Sequence, residues 1–115
     1  MANRILITGT SPIFIGSCGD DPAGAIVFQV DDDSSIEMDV QTRVAGSVDA
    51  AGAAMALGDT AYYNMRADPR TIVAAGTNIS SESIFGVIAP GCDVFLTPTS
   101  GTCTVCVKQV AGPLA

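Results

Sequence analysis

Histidine and tryptophan are both missing from this sequence, and only 5 of its 115 residues are Lys or Arg. Each shortage removes a class of function. His is the commonest general base near neutral pH and the commonest neutral metal ligand. Without it, catalysis would have to rest on carboxylates, a Cys, Lys108 or the two Tyr. Trp is the usual platform for a sugar ring and a frequent interface anchor, so lectin and enzyme readings both lose ground. The basic residues face 12 acidic ones, for a net charge of −7. No polybasic run could release counterions from nucleic acid or follow an anionic lipid surface, so neither is an expected partner. Charged residues make up only 15% of the chain, fewer than a free-standing small domain ordinarily displays. Part of the surface is therefore expected to be covered by a partner or by copies of the chain. Long apolar runs are missing too. In "MANRILITGT", Arg4 precedes a short apolar stretch, far less than a signal-peptide core, and no run approaches the roughly 20 residues of a membrane span. The expectation is a chain made and folded in a cytoplasm.

What the chain does have is 48% hydrophobic residues arranged as strand signals with turns between them. "RILIT" (4–8) runs into "GTSP", "PIFIGSC" (12–18) into "GDDPAG", and "AIVFQV" (25–30) into "DDDSS". In "IEMDVQTRV" (36–44), Ile36, Met38, Val40 and Val44 alternate with Glu37, Asp39, Gln41 and Arg43. That period predicts an antiparallel strand with one face on a core and one in water. The Ala-rich stretch 45–59 is interrupted by Gly46, Gly52 and Gly58. Each interior Gly costs a helix about 1 kcal/mol relative to Ala, which predicts a loop with at most one helical turn. Further strands are expected in "TAYYNMR" (60–66), "TIVAAGT" (71–77), "ESIFGVIA" (82–89), "CDVFLTP" (92–98) and "TCTVCVKQV" (102–110). The fold expected is all-β: a single antiparallel β-sandwich, jelly-roll-like or Ig-like, with an Ala/Gly-rich loop and extended termini. Residues 1–9 form an N-terminal arm or edge strand, 10–110 the sandwich and 111–115 a tail.

Four cysteines invite a chemical reading. Cys103 and Cys106 form a C-x-x-C pair, but inside a strand Cys103, Val105 and Val107 share one face while Thr104, Cys106 and Lys108 share the other. The two thiols then point apart, which suits neither a zinc knuckle nor a redox motif at a helix start. They are read as small apolar fillers. Cys18 and Cys92 are read as reduced, although a bridge between them is compatible with their positions after a strand and after a "PG" turn. The acidic loops 20–24 and 31–35 lack the EF-hand pattern and are read as solvated turns, so no metal and no cofactor is expected. "NIS" (78–80) fits a glycosylation sequon that a cytoplasmic chain never presents. Adjacent Tyr62 and Tyr63 should leave opposite faces of a strand, one inward and one available for contacts.

The second half, from Tyr62 to Val110, resembles small β-sandwich structural proteins of tailed-phage particles. The pieces that carry the resemblance are Gly76 to Ile79, Ile84 to Gly91 ending in "APG", Val94 to Thr97, and Ser100 to Val107 reading "SGTCTVCV". The resemblance is one of strand and turn style, and no catalytic residue comes with it. It implies a virion component on the capsid surface: a head decoration or cement protein, or a tail or adaptor protein. The implied partners are the major capsid protein and copies of the chain itself, expected as a trimer. Candidate interface residues are Arg4, Ile5, Leu6 and Ile7, which as an arm would have no strand partner within a small sandwich, together with Tyr62 and Tyr63. Two readings from other classes stand beside it. An adhesin-like fibre-tip module would need loop aromatics, and a small enzyme would need two acids converging in a pocket.

Overall fold

The computed structural model describes residues 3–19, 24–30, 36–60, 62–64, 71–73, 78–79 and 84–110. Eleven strands lie among them: β1 (Asn3–Ile7), β2 (Ile13–Ser17), β3 (Ala25–Val30), β4 (Ile36–Val44), β5 (Gly58–Asp59), β6 (Tyr62–Asn64), β7 (Thr71–Val73), β8 (Asn78–Ile79), β9 (Ile84–Ile88), β10 (Cys92–Ser100) and β11 (Cys103–Val110). They form two antiparallel sheets packed together as a β-sandwich. One runs β1-β11-β3-β9-β6-β7 and the other β2-β10-β4-β5, with β8 added to β4.

The pairing has a simple logic. Early strands pair with late ones in reverse order: β1 with β11, β2 with β10, β3 with β9 and β4 with β5. From β1 to β4 the chain changes sheet at every step. A long double strand rolled across two sheets in this way is a jelly roll, which decides between the two sandwich types expected. Strands β6 and β7 extend the first sheet beyond β9.

Alternation fills the space between the sheets. From β4 come Met38 and Val40, from β10 Val94 and Leu96, from β3 Ile26, Phe28 and Val30, and from β11 Cys103, Val105 and Val107. Each fully buried side chain of this size contributes about 1.5–3 kcal/mol, and no charged side chain is buried among the described residues. At one side Phe28, Tyr62 and Phe85 form an aromatic cluster, with Tyr62 edge-on to Phe85 at 5.2 Å. Pro98 sits in central β10, where it has no N–H to donate. The pairing with β2 runs only as far as Leu96, and the register with β4 shifts just after Pro98.

Some expectations need correcting. Val44 ends the alternating strand but is 62% exposed, because β4 there runs past the edge of the core. "RILIT" is not short of a partner: β1 pairs with β11 from Asn3↔Val107 to Ile7↔Cys103. Residues 45–57 form a loop, as expected, built from turns with no helical turn. Val48 bridges Ala54, and the Asp49 carboxylate accepts the N–H groups of Ala51 and Ala53 at 2.9 and 3.0 Å. The acidic stretches 20–23 and 31–35 and the tail 111–115 lie outside the described residues.

Candidate interaction surface

The six residues singled out from the sequence divide by burial. On β1, alternation sends Ile5 and Ile7 inward and Arg4 and Leu6 outward. Ile7 is fully buried, Ile5 packs against the core, and Leu6 is 58% exposed. Tyr62 is buried in the aromatic cluster and Tyr63 is half-buried, as two neighbours on one strand should be. Ile7 and Tyr62 are therefore core residues and leave the interface set, whereas Arg4 and Leu6 face solvent.

A stronger feature lies on the outer face of the β2-β10-β4-β5 sheet, where alternation would put polar side chains. Phe14 on β2 stands opposite Phe95 on β10, their rings edge-on with centroids 5.5 Å apart. The Arg43 guanidinium lies over the Phe95 ring at 4.9 Å, a cation–π contact. Between them they cover Phe95 almost completely, although it belongs to the outside of the sandwich. Phe14 itself is 52% exposed. Arg43 also donates from Nη1 to the Met55 carbonyl at 3.4 Å, which ties the aromatic pair to the 45–57 segment. That segment and its flank expose Val44, Val48 and Met55.

Polar side chains frame the patch in an ordered way. Thr97 donates to Gln41 Oε1 at 2.6 Å, and Gln41 Nε2 donates to Asp59 at 2.9 Å, so one chain of hydrogen bonds crosses β10, β4 and β5. On the other flank Ser17 donates to Asp93. Apolar and aromatic groups with an Arg at the centre and satisfied polar groups at the rim are the usual anatomy of a protein-binding surface. The sequence hid this arrangement. Phe14 sits in "IFI" and Phe95 in "VFL", and an unbroken apolar run does not say which residue faces out. The available signal was the run itself, because a strand apolar at every position has something to cover on both faces.

Other places on the molecule offer less. A cleft of about 290 Å³ opens between the edges β1 and β2, with Asn3, Lys108 and Gln109 above Ile15 and Ile26. It lies at the bottom of the size range that holds small ligands, and no acid is among its lining residues. None of the four cysteines is in a disulfide, and Cys103 and Cys106 leave opposite faces of β11, one buried and one half-buried. Among the described residues no three of His, Cys, Asp or Glu come together as a metal-holding group. Burial, and secondarily the charge of Asp39, pushes the Tyr62 phenol up to about 12. Burial also raises the Cys18 thiol. No protein-family model, curated protein or solved structure matches the chain.

Proposed function

We propose that this chain is a non-enzymatic structural protein of a virus particle, a decoration protein that grips the outer shell through protein–protein contacts. The observation that carries the reading is the Phe14–Phe95–Arg43 cluster on the outside of the sandwich. Interface centres are enriched in aromatic residues and Arg, and charged residues make up only 15% of the chain. A jelly roll adds support by fold analogy alone, since viral capsid proteins, lectins and cupins share it. Without Trp there is little for a sugar to stack on, and without His metal-dependent chemistry lacks its commonest ligand. The chain's resemblance to phage structural proteins points to the first of the three. The shell is then the partner of the outer sheet, and copies of the chain, as a trimer, bury further apolar surface such as Val48 and Met55.

The test is quantitative mass spectrometry of purified tailed-phage particles whose genome encodes this sequence. The expected copy number is close to that of the major shell protein, with a particle that withstands heat less well when the chain is removed. Adding back a Phe14→Ser/Arg43→Ser variant should restore at least about 10-fold less occupancy, the loss expected when one or two anchors of an interface go. A few copies per particle would favour a tail or fibre position. Full occupancy by the double variant would remove the outer sheet from the contact.

A further inference from the structure

Cys18 and Cys92 are brought opposite each other by the β2–β10 pairing. The ladder registers Asp93 with Ser17, and one step further the Cys18 N–H donates to the Cys92 carbonyl at 2.9 Å. The Ser17–Asp93 side-chain bond lies on the outer face, so by alternation both Cys side chains turn to the inner one. Cys18 is buried in the core cluster and Cys92 is half-buried. Opposed residues of an antiparallel pair hold their Cβ atoms about 4.5–5.5 Å apart. A disulfide needs about 3.5–4.5 Å, so a modest approach suffices. The place favours it: Cys18 directly follows β2 and Cys92 opens β10, Gly91 N–H bonds the Gly19 carbonyl at 3.1 Å, and Gly91 takes φ +74, where a residue without Cβ adjusts most freely. Across the β1–β11 pairing Cys103 stands opposite Ile7 and Cys106 opposite Arg4, and across the β11–β3 pairing Cys106 stands opposite Gln29.

We propose that Cys18 and Cys92 are a redox-controlled disulfide site, a staple that fastens the edge strand β2 to β10 when the chain meets a small disulfide of the glutathione class. Cys92 enters first because its sulfur is the more accessible. Its thiolate attacks one sulfur of the glutathione disulfide, that S–S bond breaks, and one glutathione leaves as a thiolate. The Cys18 thiolate then attacks the Cys92 sulfur, and the second glutathione leaves. Two cysteine thiols are oxidised to one disulfide, and the glutathione disulfide is reduced to two thiols, which take up the two protons. Burial, which raises the Cys18 thiol, makes this closing step the slow one. The bridge joins residues far apart in the chain and so restricts the unfolded state strongly. A reduced chain would fold and assemble with β2 free to adjust, and a later oxidising environment would lock it. The proposal does not depend on the virion reading.

The experiment equilibrates the full chain in glutathione buffers from fully reduced to fully oxidised, traps free thiols with an alkylating reagent, and maps peptides without reductant. The expected product is one Cys18–Cys92 link with Cys103 and Cys106 alkylated, together with a Tm raised by about 10 °C or more. A Cys103→Ser/Cys106→Ser variant should keep that rise and a Cys92→Ser variant should lose it. Four alkylated cysteines across the whole series, or a link through Cys103 or Cys106, overturns the proposal. Mapping the unmutated chain decides this even where a variant folds poorly.

Discussion

Replacing Tyr62 by Phe should stabilise the protein. The Tyr62 ring is fully buried against Phe85 and Phe28, yet its hydroxyl has no hydrogen-bond partner among the described residues. Burying a hydroxyl without a partner costs roughly 1–3 kcal/mol by protein mutational measures, whereas its share of the packing is small. Tyr62→Phe keeps every ring contact and removes that cost, so a gain of about 1 kcal/mol or more is expected, seen as a Tm rise of about 3–8 °C. Tyr62→Ala, which also removes the ring, should lose about 3–5 kcal/mol. Alkali supplies an independent check. The folded phenol is pushed up to about 12 against an ordinary value near 10, so between these pH values the folded state holds a proton that the unfolded state has released. Its contribution to stability is complete below pH 10 and is lost as pH rises towards 12. The loss is at most about 2–3 kcal/mol. Urea unfolding of the parent and of Tyr62→Phe at pH 7 and from pH 9.5 to 11.5 measures both effects, with Tyr63→Phe as the half-buried control. A Tyr62→Phe protein less stable than the parent by 1 kcal/mol would show that the hydroxyl is hydrogen-bonded, and one with the parent's full alkaline loss would show that the loss belongs to other groups; either result refutes the reasoning.

Gly16→Ala should destabilise by about 1–3 kcal/mol in chemical denaturation, because φ is +149 there and an added Cβ would lie 3.1 Å from Ile26 Cδ1. An unchanged midpoint would mean that the strand can rotate out of that conformation. Ile7→Ala should cost about 2–5 kcal/mol, since the residue is fully buried. Deleting residues 1–9 should therefore lower the Tm sharply rather than trim a dispensable arm. Met38→Ala belongs to the same class and should cost a similar amount. Calorimetry of the three proteins checks these values, and a deletion as stable as the parent would return β1 to the status of an arm.

Much of the fold was legible because alternation is a local signal. β4 appears at its expected bounds, and β11 shows the inward Cys103, Val105 and Val107 that back-to-back cysteines required. Roll topology was not legible, since pairing β1 with β11 and β2 with β10 joins opposite ends of the chain and nothing in either strand names its partner. The same limit left β1 read as an arm or an edge strand, with no partner named. Val44 misled because alternation continues to the last residue of β4 although the core stops earlier. The surface cluster was the least legible feature. Phe14 and Phe95 look like core residues in sequence, and only the register that sets them opposite each other outside the sandwich reveals them.

Whether the proposed assembly would use a sheet edge or a sheet face can be argued from the same geometry. Among the described residues β1 pairs only with β11, so its other side is an edge that a neighbour's strand could extend. The edge is poorly suited to that. It has five residues, it carries Arg4, and short charged edges are the usual means by which sheets refuse further strands. The outer sheet offers the reverse: two nine-residue strands, β4 and β10, at its centre and a half-exposed Phe14. Placing a charge at each location separates the two. Leu6→Lys puts an ammonium on the outward face of β1 without touching the core, and Phe14→Lys puts one in the aromatic patch. If the face makes the contact, Leu6→Lys should leave the oligomer mass by light scattering and the shell occupancy unchanged. Phe14→Lys should then lower shell occupancy at least about 10-fold, with a Tm within a few degrees of the parent. If Leu6→Lys abolishes binding while Phe14→Lys binds normally, the contact is strand addition at β1, and the aromatic patch is only a lid over Phe95.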